Sequence, residues 1–325
     1  MPTKRDVTPE DCGTSPSGGV QPLSAPLGPW ASYAFAGRTV FATTTPHQRI
    51  EVVDLPALGP LGRAYRLDGR FMASLADAHI CHELMVHPLL LAHGAVQRVL
   101  ILGGGDGGSA REALRHPGVR EVVVAELDAQ VPATILQYLP AMADGAFDDP
   151  RTTLVIGDAR DLVDAALCRK ERFDAVVFDL TEADGNAAAL HEAPFFARIR
   201  QLLGPGGGVA LQLGSPWFQR DQVRRVLGAL RGVFRHVRPA TAYVPLYGTQ
   251  WALAYASDAF DVRTALHAAP HTAPSAPGPV ARESHHLRYL RHYAPHRHAA
   301  LFDIAPELAD ILGEARTGNA PETTR

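Results

Sequence analysis

From Arg98 onward the chain alternates between short apolar runs and longer stretches of mixed polarity. Val99-Leu100-Ile101-Leu102, Val122-Val123-Val124-Ala125, Thr153-Leu154-Val155-Ile156, Ala175-Val176-Val177-Phe178 and Val209-Ala210-Leu211-Gln212 are brief and mostly β-branched or aliphatic. The first, Val99 to Leu102, is a short apolar run typical of a parallel strand covered on both faces. Helical patterns lie between them, one following a glycine loop as far as Arg115 and another over Gln222 to Val233. Trp251 to Ala256 reads as a late strand. Strand–helix alternation of this kind predicts a Rossmann-like, doubly wound α/β sheet.

Upstream the period changes. Gln48 to Val53 alternates and is β-rich, Leu58-Gly59-Pro60 is turn chemistry, and Ala64-Tyr65-Arg66-Leu67 runs into the hairpin signal Asp68-Gly69. A small antiparallel β domain over residues 29–78 is expected. Asp77 to about His93 follows as a helix with Ile80, Leu84 and Leu91 apolar. The Rossmann-like domain then occupies 79–325, with a proline-rich loop over 264–281 and a C-terminal helical segment. Residues 1–28 are rich in Pro, Gly, Ser and Thr, too little apolar surface to offset their ordering entropy, and are expected to form a disordered tail.

Composition narrows the function classes. With 325 residues, 46% hydrophobic, 20% charged and a net charge of −3, the chain is globular and has no basic field for nucleic acid. No apolar run approaches the roughly 20 residues that span a bilayer. The polar N-terminus lacks the apolar stretch of a signal peptide. Cys12, Cys81 and Cys168 are too few and scattered for a disulfide framework. A cytoplasmic protein with neither membrane nor nucleic-acid partner is expected.

Chemistry concentrates at strand ends. In a doubly wound sheet, ligands bind outside the carboxyl ends of the strands. Asp106, Glu126, Asp158 and Asp179 all fall there, behind the loop Gly103-Gly104-Gly105-Asp106-Gly107-Gly108. Any one of them is explicable as a helix cap; four in register behind one glycine loop point to a ligand. An acid inside the loop repels a pyrophosphate and suits a cation. Glu126, 20 residues beyond Asp106, sits at the spacing of an acid that grips ribose hydroxyls. Ribose plus a cationic tail describes a sulfonium nucleoside rather than a dinucleotide. Asp158 is placed to accept from the adenine amino group, and Asp179 to meet the ligand's reactive end; with Asp106 it could bind a donor ammonium, and either acid could orient or deprotonate an incoming amine.

The same residues resemble the polyamine aminopropyltransferases, the spermidine synthase family. The likeness runs from about residue 46 to 311. It includes Gln48 with Ile50-Glu51, Leu67-Asp68-Gly69, His82-Glu83-Leu84-Met85 with His87-Pro88, the glycine loop, and Glu126-Leu127-Asp128. It continues through Tyr138-Leu139-Pro140, Phe147-Asp148-Asp149-Pro150-Arg151, Phe173 to Asp179, and Leu287-Arg288-Tyr289-Leu290. The resemblance implies a class I methyltransferase-like fold and decarboxylated S-adenosylmethionine as co-substrate, with no permanently bound cofactor and no metal. It assigns Gln48, His82, Gly104, Asp106, Glu126, Asp158 and Ala159 to the donor. Asp179 and Glu182 become catalytic and, with Gln212 and Tyr247, acceptor-binding. A small-molecule amine (putrescine or another polyamine) and a homodimer or homotetramer follow from the same likeness.

The acceptor side departs from the family pattern. Cys81 stands where a tyrosine is usual before the histidine. Asp179-Leu180-Thr181-Glu182-Ala183-Asp184 replaces the usual D-x-[ST]-D-P, so Glu182 or Asp184 takes the second aspartate's place. An S-adenosylmethionine-dependent N-methyltransferase and a non-catalytic binding homologue are the rival readings. Retention of both Asp106 and Asp179 disfavours a donor that carries its own carboxylate. His285, His286, His292, His296 and His298 have no acidic partner pattern and are read as a solvated or packed C-terminal segment.

Overall fold

The computed structural model describes residues 19–181, 183, 185–266, 287 and 289–314. Five antiparallel strands come first, in sheet order β1 (Gln21–Pro26), β2 (Ser32–Thr44), β3 (Arg49–Asp54), β4 (Arg63–Leu67), β5 (Arg70–Ser74). β1 lies inside the expected tail and corrects it. Leu23, Ala25 and Leu27 alternate and are buried, a period-2 signal that the surrounding Pro and Ser concealed. The expected tail's first 18 residues lie outside the described residues.

Helix α1 (Ala78–His93) joins this sheet to a second one. Nearly every residue of α1 is buried, so the helix is apolar on most of its circumference, as a helix wedged between layers must be. Pro88 lies within it and has no N–H for the carbonyl of Leu84. The buried hydroxyl of Tyr255 donates to that carbonyl instead, at 2.6 Å.

The second sheet has seven strands: β6 (Arg98–Gly103), β7 (Glu121–Glu126), β8 (Thr152–Ile156), β9 (Phe173–Asp179), β10 (Leu203–Gly214), β11 (His236–Val244) and β12 (Thr249–Ser257). Their spatial order is β11-β12-β10-β9-β6-β7-β8. The five from β8 to β10 are parallel; at the other end β12 pairs antiparallel with both β10 and β11. Strand alternation divides the core in two. Val99, Ile101, Val122, Val177 and Ala210 pack on the face of α1 and α2 (Gly108–Leu114). Leu100, Leu102, Val176, Phe178 and Leu211 pack on the opposite face, against α6 (Ala193–Leu202) and α7 (Arg220–Arg231). β11 escaped the sequence pattern because it is an edge strand containing Pro239, a residue that interior strands exclude.

After the sheet, a 3₁₀ stretch over Pro295–Phe302 and the helix Pro306–Leu312 close the described chain. Of the C-terminal histidines, His298 is packed: its Nδ1 meets the Tyr293 hydroxyl at 2.7 Å and its Nε2 the Val262 carbonyl at 2.6 Å. His285 and His286 lie outside the described residues. No helix among the described residues is long and apolar enough to cross a membrane.

Candidate functional site

The parallel strands β6, β7 and β9 end side by side, and their register puts Gly103 opposite Asp179. A cavity of about 540 Å³ opens above these ends and beneath the N-terminal sheet. Gln48, His82, Gly104, Asp106, Glu126, Asp158, Ala159, Asp179, Gln212 and Tyr247 all line it. Glu182 lies outside the described residues, as does Asp184.

The glycine loop is built for close approach. Gly103 has φ 76°, and a Cβ there would come within 2.2 Å of the Asp179 carbonyl oxygen. A Cβ on Gly108 would sit 2.1 Å from the ring of His82. Only glycine lets the start of α2 meet α1 this closely.

His82 and two carboxylates form the centre. Nε2 of His82 is 3.3 Å from Asp106 Oδ2 and 4.0 Å from Asp179 Oδ2. Burial pushes the imidazole toward its neutral form, but the charge and hydrogen bond of Asp106 outweigh this and raise its pKa to about 9. Asp106 is pushed up by burial and pulled further down by His82, ending below the ordinary carboxylate range. Its Oδ1 also accepts from the Gly108 N–H at 2.8 Å, and its Oδ2 from the Tyr65 hydroxyl at 3.2 Å. Asp179 goes the other way: burial, then the charge of Asp106, raise it to about 6 despite His82. Asp179 Oδ2 has no hydrogen-bond partner in the protein. A buried carboxylate oxygen left in that state is costly, and a ligand donor relieves it. The three side chains offer ligand atoms within 4.8 Å of one another, a spacing suited to a cation.

Glu126 closes the next strand. Its Oε2 accepts from the Gly105 N–H at 3.0 Å and its Oε1 from the Asp128 N–H at 2.9 Å. Burial raises its pKa to about 7 in spite of these bonds. Asp158 plays two parts. It lines the cavity and also caps α5 (Ala159–Cys168), accepting from the Arg160 N–H at 2.8 Å, and the Arg160 guanidinium holds its pKa down.

Sequence reasoning missed several supports. Asp128 accepts from Thr45 Oγ1 at 2.7 Å and from Gln48 Nε2 at 3.1 Å, tying the β2–β3 hairpin over the cavity. Tyr65 reaches Asp106 from the other sheet. Its inward position in β4 was the available signal; its partner 41 residues away was not. Glu83, next to His82, accepts backbone N–H bonds from Arg291, His292 and Tyr293 at 2.8–2.9 Å. Asp77 also lines the cavity, with its carboxylate accepting from Ser74 Oγ and from the Leu246 N–H.

One side of the cavity, around Tyr247 and Trp251, is apolar and aromatic. Tyr247 and Trp251 have ring centroids 4.5 Å apart, and the Tyr247 hydroxyl donates to the Met72 carbonyl at 2.6 Å. Cys81 is buried beside them, its thiol pushed up by burial and so far from a reactive thiolate.

Comparison with known proteins accords with this arrangement. The spermine/spermidine synthase domain family matches residues 78–264. A polyamine aminopropyltransferase of Nitrosomonas europaea is 38% identical over 295 residues, covering 91% of this chain and 86% of the relative. One from Korarchaeum cryptofilum is 34% identical over 278 residues, covering 83% and 80%. The crystal structure of Thermotoga maritima spermidine synthase superposes with a TM-score of 0.77 at 25% identity, covering 92% of this chain and 98% of that one. A spermidine synthase bound to the transition-state analogue AdoDATO gives the same TM-score and identity, covering 87% and 92%. The chain belongs to the spermine/spermidine synthase family, the polyamine aminopropyltransferases.

Proposed function

We propose that the cavity binds decarboxylated S-adenosylmethionine and transfers its aminopropyl group to a small primary amine. The observation that carries this reading is the pairing of Asp106 and Asp179 around His82. Two carboxylates there attract a donor tail ending in an ammonium and repel one that also bears a carboxylate. Glu126 accepts from the ribose hydroxyls, Gln48 and the start of α5 at Asp158-Ala159 border the adenosine, and the sulfonium carbon faces Asp179.

The neutral nitrogen of the acceptor attacks the carbon next to the sulfonium. A C–N bond forms as the C–S bond breaks, and its electron pair stays on sulfur, giving methylthioadenosine. Asp179, whose raised pKa of about 6 leaves it ionised at neutral pH, takes the proton that the acceptor's ammonium gives up as its nitrogen attacks, and the product amine remains an ammonium. The sulfonium is already a good leaving group, so positioning and charge stabilisation carry the catalysis. A spermidine synthase-like enzyme follows, acting on putrescine or another polyamine, with Tyr247 and Trp251 as the walls around the acceptor's methylenes.

The test is product analysis. Purified protein is given each donor with a panel of diamines and polyamines, and nucleoside products are identified by mass spectrometry. Methylthioadenosine in equal amount to a new aminopropylated amine is the expected result. S-adenosylhomocysteine alone would overturn it in favour of methyl transfer, and neither product would leave a binding homologue.

A further inference from the structure

The end of β10 carries Gln212, and both polar atoms of its side chain are engaged. Its Oε1 accepts from the Trp251 indole Nε1–H at 3.0 Å, and its Nε2 donates to the Leu180 carbonyl. An indole N–H can only donate and a carbonyl can only accept, so these partners leave the amide a single orientation. Leu180 directly follows Asp179, whose own carbonyl accepts from the Gly104 N–H at 2.8 Å. The peptide that carries Asp179 is therefore held from β6 on one side and from β10 on the other. The linkage continues outward: Trp251 lies against Tyr247, and Tyr247 is bonded to Met72 on β5. It thus ties the reacting strand end to the N-terminal sheet.

We infer that Gln212 is a positioning residue: its amide fixes Leu180, and through Leu180 the direction in which Asp179 faces the reacting amine. This rests on the aminopropyl-transfer reading above. In this reading Gln212 acts through Leu180 rather than by contact with the acceptor; its Oε1 keeps a second lone pair, so the kinetics of the variants decide between the two roles.

The consequences separate the two roles. Gln212→Leu keeps the bulk and removes both bonds. A misplacement of Asp179 by a fraction of an ångström to 1 Å lowers kcat by about 10- to 100-fold, while KM for donor and amine stays within about threefold. Gln212→Glu keeps an acceptor for Trp251 but sets a carboxylate oxygen against the Leu180 carbonyl, and is expected to be as slow as Gln212→Leu. Trp251→Phe keeps the ring and frees the amide to turn, lowering kcat by about three- to tenfold. The double variant Gln212→Leu/Trp251→Phe is no slower than Gln212→Leu, because both changes break one linkage.

Initial rates of methylthioadenosine release, with saturation curves for both substrates, decide it; Trp251→Phe carries the test if Gln212→Leu does not fold. A fall in kcat with unchanged KM and a non-additive double variant support positioning. A raised amine KM at unchanged kcat, a lowered amine KM in Gln212→Glu, or variants within twofold of wild type overturn it. Wild-type protein that releases no methylthioadenosine with any amine overturns the functional reading and this inference together; an active wild type with indifferent variants overturns this inference alone.

Discussion

Replacing Asp179 with asparagine removes one charge and almost no volume. Asp179 lies 4.0 Å from His82, has an oxygen without a protein partner, and keeps in asparagine an oxygen that Ser109 can donate to, so the change disturbs the fold's hydrogen bonds little. Its loss is felt by the cationic transition state. A carboxylate and an ammonium about 4 Å apart interact by about 4 kcal/mol at an effective dielectric of about 20. At about 1.36 kcal/mol per decade, this corresponds to about 10³-fold in rate. A general base contributes about 10²- to 10⁴-fold by independent precedent. The expected result for Asp179→Asn is a kcat about 10³-fold lower, with donor KM changed by less than about tenfold because Asp106 and Glu126 remain. The assay is methylthioadenosine release, read as kcat at saturating amine and, from pH 5 to 9, as kcat/KM, which follows the ionisations of the unoccupied site. Burial holds the wild-type carboxyl protonated below about pH 6, so the wild-type rate falls as pH drops through that value. The variant's residual rate lacks that acid limb. A kcat within about fivefold of wild type, or an unchanged acid limb, would refute the role given to Asp179.

Three further outcomes follow from the surrounding residues. Glu126 is protonated in the empty site below about pH 7 and must ionise to accept from both ribose hydroxyls, so donor affinity weakens as pH falls from 8 to 6. Glu126→Gln, measured by calorimetry, weakens it about 10- to 100-fold at pH 8, the worth of one or two charge-assisted hydrogen bonds, and flattens the pH dependence. Asp128→Ala releases Thr45 and Gln48 together; donor KM rises about tenfold with kcat nearly unchanged, which steady-state kinetics reads directly. Glu83→Gln weakens three main-chain bonds to a buried carboxylate, lowering stability by about 2–4 kcal/mol. A thermal melt shows this as a drop of several degrees, and an unchanged melt would show that the C-terminal segment is not held through Glu83.

The parallel half of the molecule was legible because its inner strands are continuous apolar runs (the edge strand β8, with two threonines and exposed Val155 and Ile156, is the weakest of them), and ligand-facing residues in such a sheet sit at the run's end. That logic picked out Asp106, Glu126 and Asp179, which line one cavity, without knowledge of any contact. It placed Asp158 at the site but not its pairing with Arg160, since capping and ligand binding use the same carboxylate. Tyr65, Asp128 and Glu83 were opaque for another reason: each acts through a partner far along the chain, and no local pattern encodes such a partner. β1 was hidden by composition, its alternation of Leu23, Ala25 and Leu27 set among turn-forming residues. β11 was hidden by Pro239, which an edge strand tolerates where an interior one does not.

The decisive comparison is the affinity of the protein for decarboxylated S-adenosylmethionine against that for S-adenosylmethionine itself, by calorimetry in the absence of amine. The two nucleosides differ by one carboxylate, which would have to lie beside Asp106 and Asp179. Like charges about 5 Å apart cost about 3 kcal/mol at an effective dielectric of about 20, so the decarboxylated form should bind about 100-fold tighter. Asp106→Asn should shrink that preference. Equal affinity for the two, or tighter binding of S-adenosylmethionine, would contradict an aminopropyl donor site built on these two aspartates.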